Sequence, residues 1–369
     1  MDTFNLNTHY HVVSVTPAGR KAYLEILAVA LLKNKHVITE HRFWVNTDNP
    51  EDINYLHQLS DEHPEFFKLD FPTDRTGTFP ERLWRFYRLC SEPNTIYIKL
   101  DDDICYIEDN AIEKLISYRL AQADCAILLG NVINNTVCSA IHELIGVKTQ
   151  YKQSISKPRI QESEFTVSDK LGSKSGKVAE CIHTQFLADV RKGNINMYRF
   201  NNIPLLNNQY VHINVMSWFG RDIETHQKVF NTELFTLQLR DPFTNEKRSP
   251  HTDEDFFNRF FPTLLGRSNH ILGDALFTHF AFTNQRNYLE NCTNLLEYYD
   301  NSKTDIGEKK SIKKKVRFIV NVFTHFLINK SKRVVWFIKS IVRPSSTISI
   351  EFDPFNPKVD VYPIPSTLS

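Results

Sequence analysis

The chain has 369 residues, 41% hydrophobic and 24% charged, a balance that supports a sizeable core and excludes global disorder. That length fits one α/β enzyme domain plus an accessory segment, and only 11 glycines exclude collagen-like, glycine-linker and glycine-rich phosphate-loop architectures. The net charge of +1 conceals a partition: residues 309–343 hold eleven Lys/Arg and no acid, leaving 33 basic against 43 acidic residues elsewhere. An anionic partner is therefore expected for that segment alone.

In chain order, residues 10–16 read as a buried strand ending at Pro17-Ala18-Gly19, and residues 20–33 as a helix with Leu24, Leu27, Ala28 and Leu31 on one stripe. A second strand covers 41–47 and a helix 52–59. An amphipathic helix over 80–90 opens at Pro80. The strand Thr95-Ile96-Tyr97-Ile98-Lys99-Leu100 runs straight into Asp101-Asp102-Asp103, followed by a helix over 110–122 and a strand over 125–129. The polar stretch 148–177 reads as a mobile loop or insertion, and later strands are expected near 211–217 and 271–280. Alternating strands and helices predict a mostly parallel sheet covered on both faces. The expected division is a catalytic domain over 1–300, a basic amphipathic segment over 301–343 and a Pro-bearing tail over 344–369.

The acidic triplet stands at the C-terminal end of a central strand, where open α/β sheets bind ligands. Alternation puts Asp101 and Asp103 on one face and Asp102 on the other. Three adjacent carboxylates call for a compensating cation, and hard Mg²⁺ or Mn²⁺ would leave coordination positions open for a diphosphate. A solvated acidic turn capping the next helix is the plainer alternative. Thr252-Asp253-Glu254-Asp255 is a second acidic cluster; it reads either as a helix cap or as a source of a general base.

A strand ending in D-x-D about a hundred residues into an α/β chain resembles the nucleotide-sugar glycosyltransferases of the GT-A fold, over roughly residues 10–298. The resemblance implies a GT-A-like (Rossmann-like) sheet with flanking helices, a nucleotide-diphosphate sugar donor, and Mn²⁺ or Mg²⁺ on Asp101 and Asp103 with His279 as third ligand. It places Asp101 and Asp102 near the ribose and donor sugar. The late acidic motif of inverting members falls on Asp255 as base with Glu254 as acceptor contact, the register among Asp253, Glu254 and Asp255 staying open. Trp218 and Asp222 match the aromatic segment that lines the sugar. Thr16, Arg20 and Asp48 fall where the base and ribose bind, and Arg82 (with Arg85) is placed to neutralise diphosphate. A haloacid-dehalogenase-like phosphatase, a nucleotidyltransferase (for which Thr16-Pro17-Ala18-Gly19-Arg20-Lys21 is a poor version of the expected glycine-rich loop) and a non-catalytic membrane-tethered carbohydrate-binding protein are the rival readings. No G-x-G-x-x-G, Walker A, H-E-x-x-H or G-x-S-x-G motif occurs.

Six cysteines without a C-x-x-C pair suit reduced, mostly buried thiols. The N-terminal residues lack the n- and h-regions of a signal peptide, so a cytoplasmic protein is expected. Residues 309–343 interleave basic side chains with Phe318, Phe323, Phe326, Trp336 and Phe337, a pattern suited to lying peripherally on an anionic membrane surface rather than tracking nucleic acid. The expected acceptor is a glycan or lipid-linked glycan at the cytosolic face, as in polysaccharide biosynthesis.

Overall fold

The computed structural model describes residues 10–72, 74–147, 156–161, 164–169, 173–205, 210–300, 348–350 and 361–363. The chain divides into two units, residues 1–290 with 295–305, and residues 291–294 with 306–369. In the second, the strands Ile348–Ile350 and Val361–Pro363 pair antiparallel. The segment 309–343 lies outside the described residues.

The first unit opens with β1 (His11–Ala18), α1 (Lys21–Lys33), β2 (Glu40–Val45), α2 (Pro50–Glu62), β3 (Phe67–Asp70), α3 (Phe79–Tyr87), β4 (Thr95–Leu100) and β5 (Ile104–Ile107). It continues through α4 (Ala111–Ala121), β6 (Leu128–Ile133), α5 (Thr136–Leu144), β7 (Ser156–Gln161), β8 (Glu164–Asp169), α6 (Gly176–Arg191) and β9 (Ile203–Leu205). The last elements are β10 (Val215–Phe219), α7 (Gly220–Thr225), α8 (Gln227–Phe230), β11 (Leu239–Arg240), β12 (Lys247–Arg248), α9 (Asp253–Asp255), α10 (Phe261–Leu265), β13 (Asn269–His279), α11 (Thr283–Cys292) and α12 (Leu295–Tyr299).

Nine strands form one sheet in the order β3-β2-β1-β4-β10-β6-β13-β5, with β9 also on β13. The pairs β1–β2, β2–β3, β1–β4 and β6–β13 are parallel, whereas β10 runs antiparallel between β4 and β6. This is the expected mostly parallel α/β sheet with flanking helices. Strand alternation divides the core. Val12, Phe43, Ile96, Ile98 and Leu100 pack with α1, α2 and α4 on one face; Val13, Val15, Trp44, Tyr97 and Trp218 pack with α3 and the phenylalanines 256, 257, 260 and 261 on the other.

Two details differ from the sequence reading. The stretch 148–177, read as a mobile loop or insertion, contains an antiparallel pair, β7–β8. The chain after the acidic triplet forms the short strand β5, which crosses to the far edge of the sheet and pairs with β13. The six cysteines form no disulfide, and all are buried except the partly covered Cys181, matching the expected mostly buried thiols.

Candidate active site

The triplet is a tight turn between β4 and β5. The Asp101 amide donates to the Asn214 carbonyl (2.9 Å), and the Ile104 amide closes the turn on the Asp101 carbonyl (3.1 Å). Because β5 then pairs with β13, the Phe280 amide reaches the Asp103 carbonyl (2.9 Å). That bond brings the end of β13, with His279, against the turn. The result is a cleft of about 510 Å³ lined by Arg20, Lys99, Asp101, Asp102, Asp103, His212, Asn214, Asp253, Glu254, His279, Phe282 and Arg286 among others. This volume lies within the ordinary range for small-ligand sites.

Each carboxylate in the turn has a different set of partners. Asp101 accepts from Lys99 Nζ at 2.5 Å and Asn214 Nδ2 at 3.1 Å. Asp102 is gripped by both arms of Arg20, Nε at 2.9 Å. Asp103 faces His279 Nε2 at 3.3 Å, with Arg20 at 3.2 Å and Arg286 at 3.4 Å. Burial opposes ionisation of Asp103, but His279, Arg20 and Arg286 outweigh it and hold its carboxyl below the ordinary range. Burial likewise disfavours a charged His279, yet Asp103 and Asp101 raise it above an ordinary imidazole.

Asp101, Asp103 and His279 offer one ligand atom each, all within 4.8 Å of one another. Two carboxylate oxygens and an imidazole nitrogen fit a divalent cation. Carboxylates suit Mg²⁺ and Mn²⁺, and the imidazole favours the transition metal of the two.

Across the cleft, Thr252 caps the short helix α9 by accepting from the Asp255 amide at 3.1 Å. Successive helical residues point about 100° apart, so the three acids meet different surroundings. Asp253 lines the cleft and accepts from the buried Tyr87 hydroxyl at 2.9 Å. Burial pushes its carboxyl up to about 6, against the opposing charge of Lys99. Glu254 also lines the cleft, but the Ile213 amide (2.8 Å), the Tyr210 hydroxyl and His212 occupy it. Burial works against its charge, and these partners still hold it near 2.

Asp255, the third acid of the open register, does not line the cleft. It turns away from the cleft to Arg248 (2.6 and 3.2 Å) and the His251 amide (3.0 Å). Through Arg248, which also binds Asp241 at 2.6 Å, it anchors the β11–β12 ribbon.

Six further residues, Thr16, Asp48, Arg82, Arg85, Trp218 and Asp222, fall outside the cleft lining. Trp218 is wholly buried and stacks on Tyr97 at 5.6 Å, so its faces are closed to a sugar. Asp222 is buried in a bidentate pair with Arg267 (3.0 and 3.1 Å). Thr16 is buried within β1, one residue before the cleft begins. Asp48 sits exposed between Arg75 (2.7 Å) and Arg82 (3.8 Å). In each case packing or a nearer partner decided what adjacency in sequence could not.

Sequence reasoning missed Lys99, Tyr87, His212, Asn214, Phe282 and Arg286. Only Lys99 carried a signal: the one charged residue in a six-residue strand that is buried throughout.

No family model and no curated protein sequence matches the chain. Among solved structures, a mannosyltransferase from Pyrobaculum calidifontis in complex with GDP-Man and Mn²⁺ matches at 9% identity and a TM-score of 0.39, over 74% of this chain and 58% of that one. The chain thus spans little more than half of that enzyme. A 4-diphosphocytidyl-2C-methyl-D-erythritol synthase from Anaerococcus prevotii matches at 9% identity and a TM-score of 0.35, over 84% and 96% of the two chains. S. aureus TarS matches at 11% identity and a TM-score of 0.36, over 84% and 70%. At these scores the likenesses carry no information about the site.

Proposed function

We propose that this protein is a metal-dependent glycosyltransferase that moves a sugar from a nucleotide-diphosphate donor to a glycan or lipid-linked glycan acceptor. The observation that supports this most is the placement of a possible metal-ligand set (Asp101, Asp103, His279) and two carboxylates (Asp253, Glu254) around one cleft. The lining holds five carboxylates against the cations of Arg20, Lys99 and Arg286. An anionic donor would meet like charge there unless a divalent ion intervened. When bound, such an ion would supply the positive charge that offsets the diphosphate as the leaving group separates.

The chain's own residues would do the rest. Arg20, paired with Asp102, and Arg286 border the carboxylates where the diphosphate would lie, and are placed to orient it. Asp253 is the general base in this reading. Its carboxyl, poised near 6, would accept the acceptor hydroxyl's proton as that oxygen bonds to the anomeric carbon and the bond to diphosphate breaks. Glu254, fixed by Tyr210, His212 and the Ile213 amide, would hold acceptor-side groups in place without taking a proton. Attachment to the cytosolic face of an anionic membrane through residues 309–343 belongs to the same proposal.

A thermal-shift screen of nucleotide sugars, with and without Mn²⁺, tests it directly. A bound donor raises the unfolding midpoint as RT ln(1+[L]/Kd), and the rise is expected only with metal present. Asp103→Ala should remove the metal-dependent rise while the protein stays folded. Unchanged Mn²⁺-dependent nucleotide binding in a folded Asp103→Ala protein would defeat the metal assignment.

A further inference from the structure

The segment before β10 carries a row of rings along one wall of the cleft. In Tyr210-Val211-His212-Ile213, Val211 and Ile213 are each 2% exposed and Tyr210 is 38% exposed, the alternation of an extended chain with one side in the core. Its backbone is pinned. The Val211 amide donates to Asn258 Oδ1 at 3.1 Å, and the Val211 carbonyl accepts from Asn258 Nδ2 at 2.9 Å. The Ile213 amide donates to Glu254 at 2.8 Å. Tyr210 and His212 are therefore held side by side, edge to face, with ring centroids 5.4 Å apart. His212 packs in turn on Phe282 at 4.7 Å, and Phe282 on His279 at 4.6 Å. His212 and Phe282 line the cleft, and Tyr210 carries the stepped row outward past Glu254, to which its hydroxyl donates.

Resting on the glycosyl-transfer reading, we propose that Tyr210, His212 and Phe282 are the platform for the acceptor, and that the acceptor is an oligosaccharide whose sugar next to the reacting one rests on His212 and Tyr210. An acceptor with a hydroxyl at Asp253 would run along this row as it leaves the cleft. The chemistry of the row fits a pyranose, which has a face of C–H groups and an edge of hydroxyls. The C–H face gains by covering aromatic rings. The hydroxyls can donate to Glu254, whose carboxylate borders the row 3.4 Å from His212 Nδ1. An alkyl chain would cover that carboxylate without offering it a donor. A nucleic-acid strand would bring its phosphates against Glu254 and Asp253. Because Asn258 and Glu254 already fix the segment, little ordering is left to be done on binding.

The test uses the full-length protein with Tyr210→Ala, which removes the ring, and Tyr210→Phe, which keeps the ring and removes only the bond to Glu254. Methyl glycosides and disaccharides of glucose, galactose, mannose and N-acetylglucosamine are the probes, followed by saturation-transfer NMR. At least one disaccharide should bind more tightly than its methyl glycoside, with the strongest transfer to the C–H protons of one ring face. Tyr210→Ala should weaken that disaccharide about tenfold, a typical loss on truncating an aromatic anchor, and Tyr210→Phe should keep most of the affinity. If Tyr210→Ala does not fold, Tyr210→Leu, which keeps bulk without a flat ring, serves under the same criteria. Disaccharide binding unchanged in Tyr210→Ala would overturn the proposal. So would equal losses in Tyr210→Phe and Tyr210→Ala, which would assign the effect to Glu254 rather than to the ring. Tyr210-dependent binding of octyl sulfate and of no saccharide would place an alkyl chain there instead. Failure of every saccharide with a protein that shows Mn²⁺-dependent nucleotide-sugar binding would overturn the platform and spare the functional reading. Tyr210-dependent saccharide binding by a protein that binds no nucleotide sugar would keep the carbohydrate site and bring down the transfer reading beneath it.

Discussion

Three consecutive acids, Asp253, Glu254 and Asp255, have three different roles in the structure, because each points into different surroundings. Asp253 is buried beside Tyr87 and raised to about 6, whereas Asp255 is held below the ordinary carboxylate range despite partial burial by Arg248, the His251 amide and Arg259. This separates their substitutions. Asp253→Asn should keep donor binding and lose transfer by about 10²–10⁴-fold, the usual contribution of a general base. Asp255→Asn should leave much of the turnover intact and cost on the order of 1–3 kcal/mol of stability by weakening a partly buried charged pair. Near-normal turnover in Asp253→Asn would place the base elsewhere. The proton argument also sets a pH dependence. A base must be deprotonated to act, so the wild-type rate should fall as pH drops through about 6, and Asp253→Asn should abolish that limb. A limb that persists in the variant would belong to another group.

At the scale of elements, the site depends on where β13 ends. This strand is parallel to β6 and antiparallel to β5, and its register against β6 shifts between Leu272 and Leu276. Gly273 stands in that irregularity, where the Phe200 carbonyl lies 2.1 Å from the position a β-carbon would take. No side chain fits there, because real contacts of that kind are never so short, and the obstacle is backbone. Gly273→Ala should therefore displace β13 or the Phe200 loop. The expected cost is about 2–3 kcal/mol, comparable with overpacking a core, read as a drop of several degrees in the unfolding midpoint. Because His279 closes the same strand, metal-dependent nucleotide binding should weaken with it. An unchanged midpoint would show that the loop yields freely and that β13 is not pinned at this glycine.

At the scale of the whole molecule, the charge partition makes a prediction that does not depend on the cleft. Among the described residues no helix is long and apolar enough to cross a membrane, and the proposed attachment is through residues 309–343. Sedimentation with anionic vesicles should weaken with salt, as the Debye length falls from ~10 Å at 0.1 M to ~3 Å at 1 M, and leave a salt-resistant part from the aromatics. Replacing Lys313, Lys314, Lys315 and Arg317 together by Glu should abolish the salt-sensitive part. Unaffected sedimentation would move the membrane face elsewhere. The fold class and the acidic turn were legible in the sequence because both rest on local pattern: apolar runs at strand and helix periods, and a charged triplet where a buried strand stops. Lys99 also stood in plain view as a charge between apolar neighbours, but its contact with the distant Ile213 carbonyl belongs to the tertiary structure. Pairings such as Asp255 with Arg248 and Asp222 with Arg267, the closure of Trp218 by Tyr97, and the arrival of His279 beside Asp103 belong to the tertiary structure alone. They depend on which segments cross in space, and a residue's chemistry follows from its neighbours there rather than from those beside it in the chain.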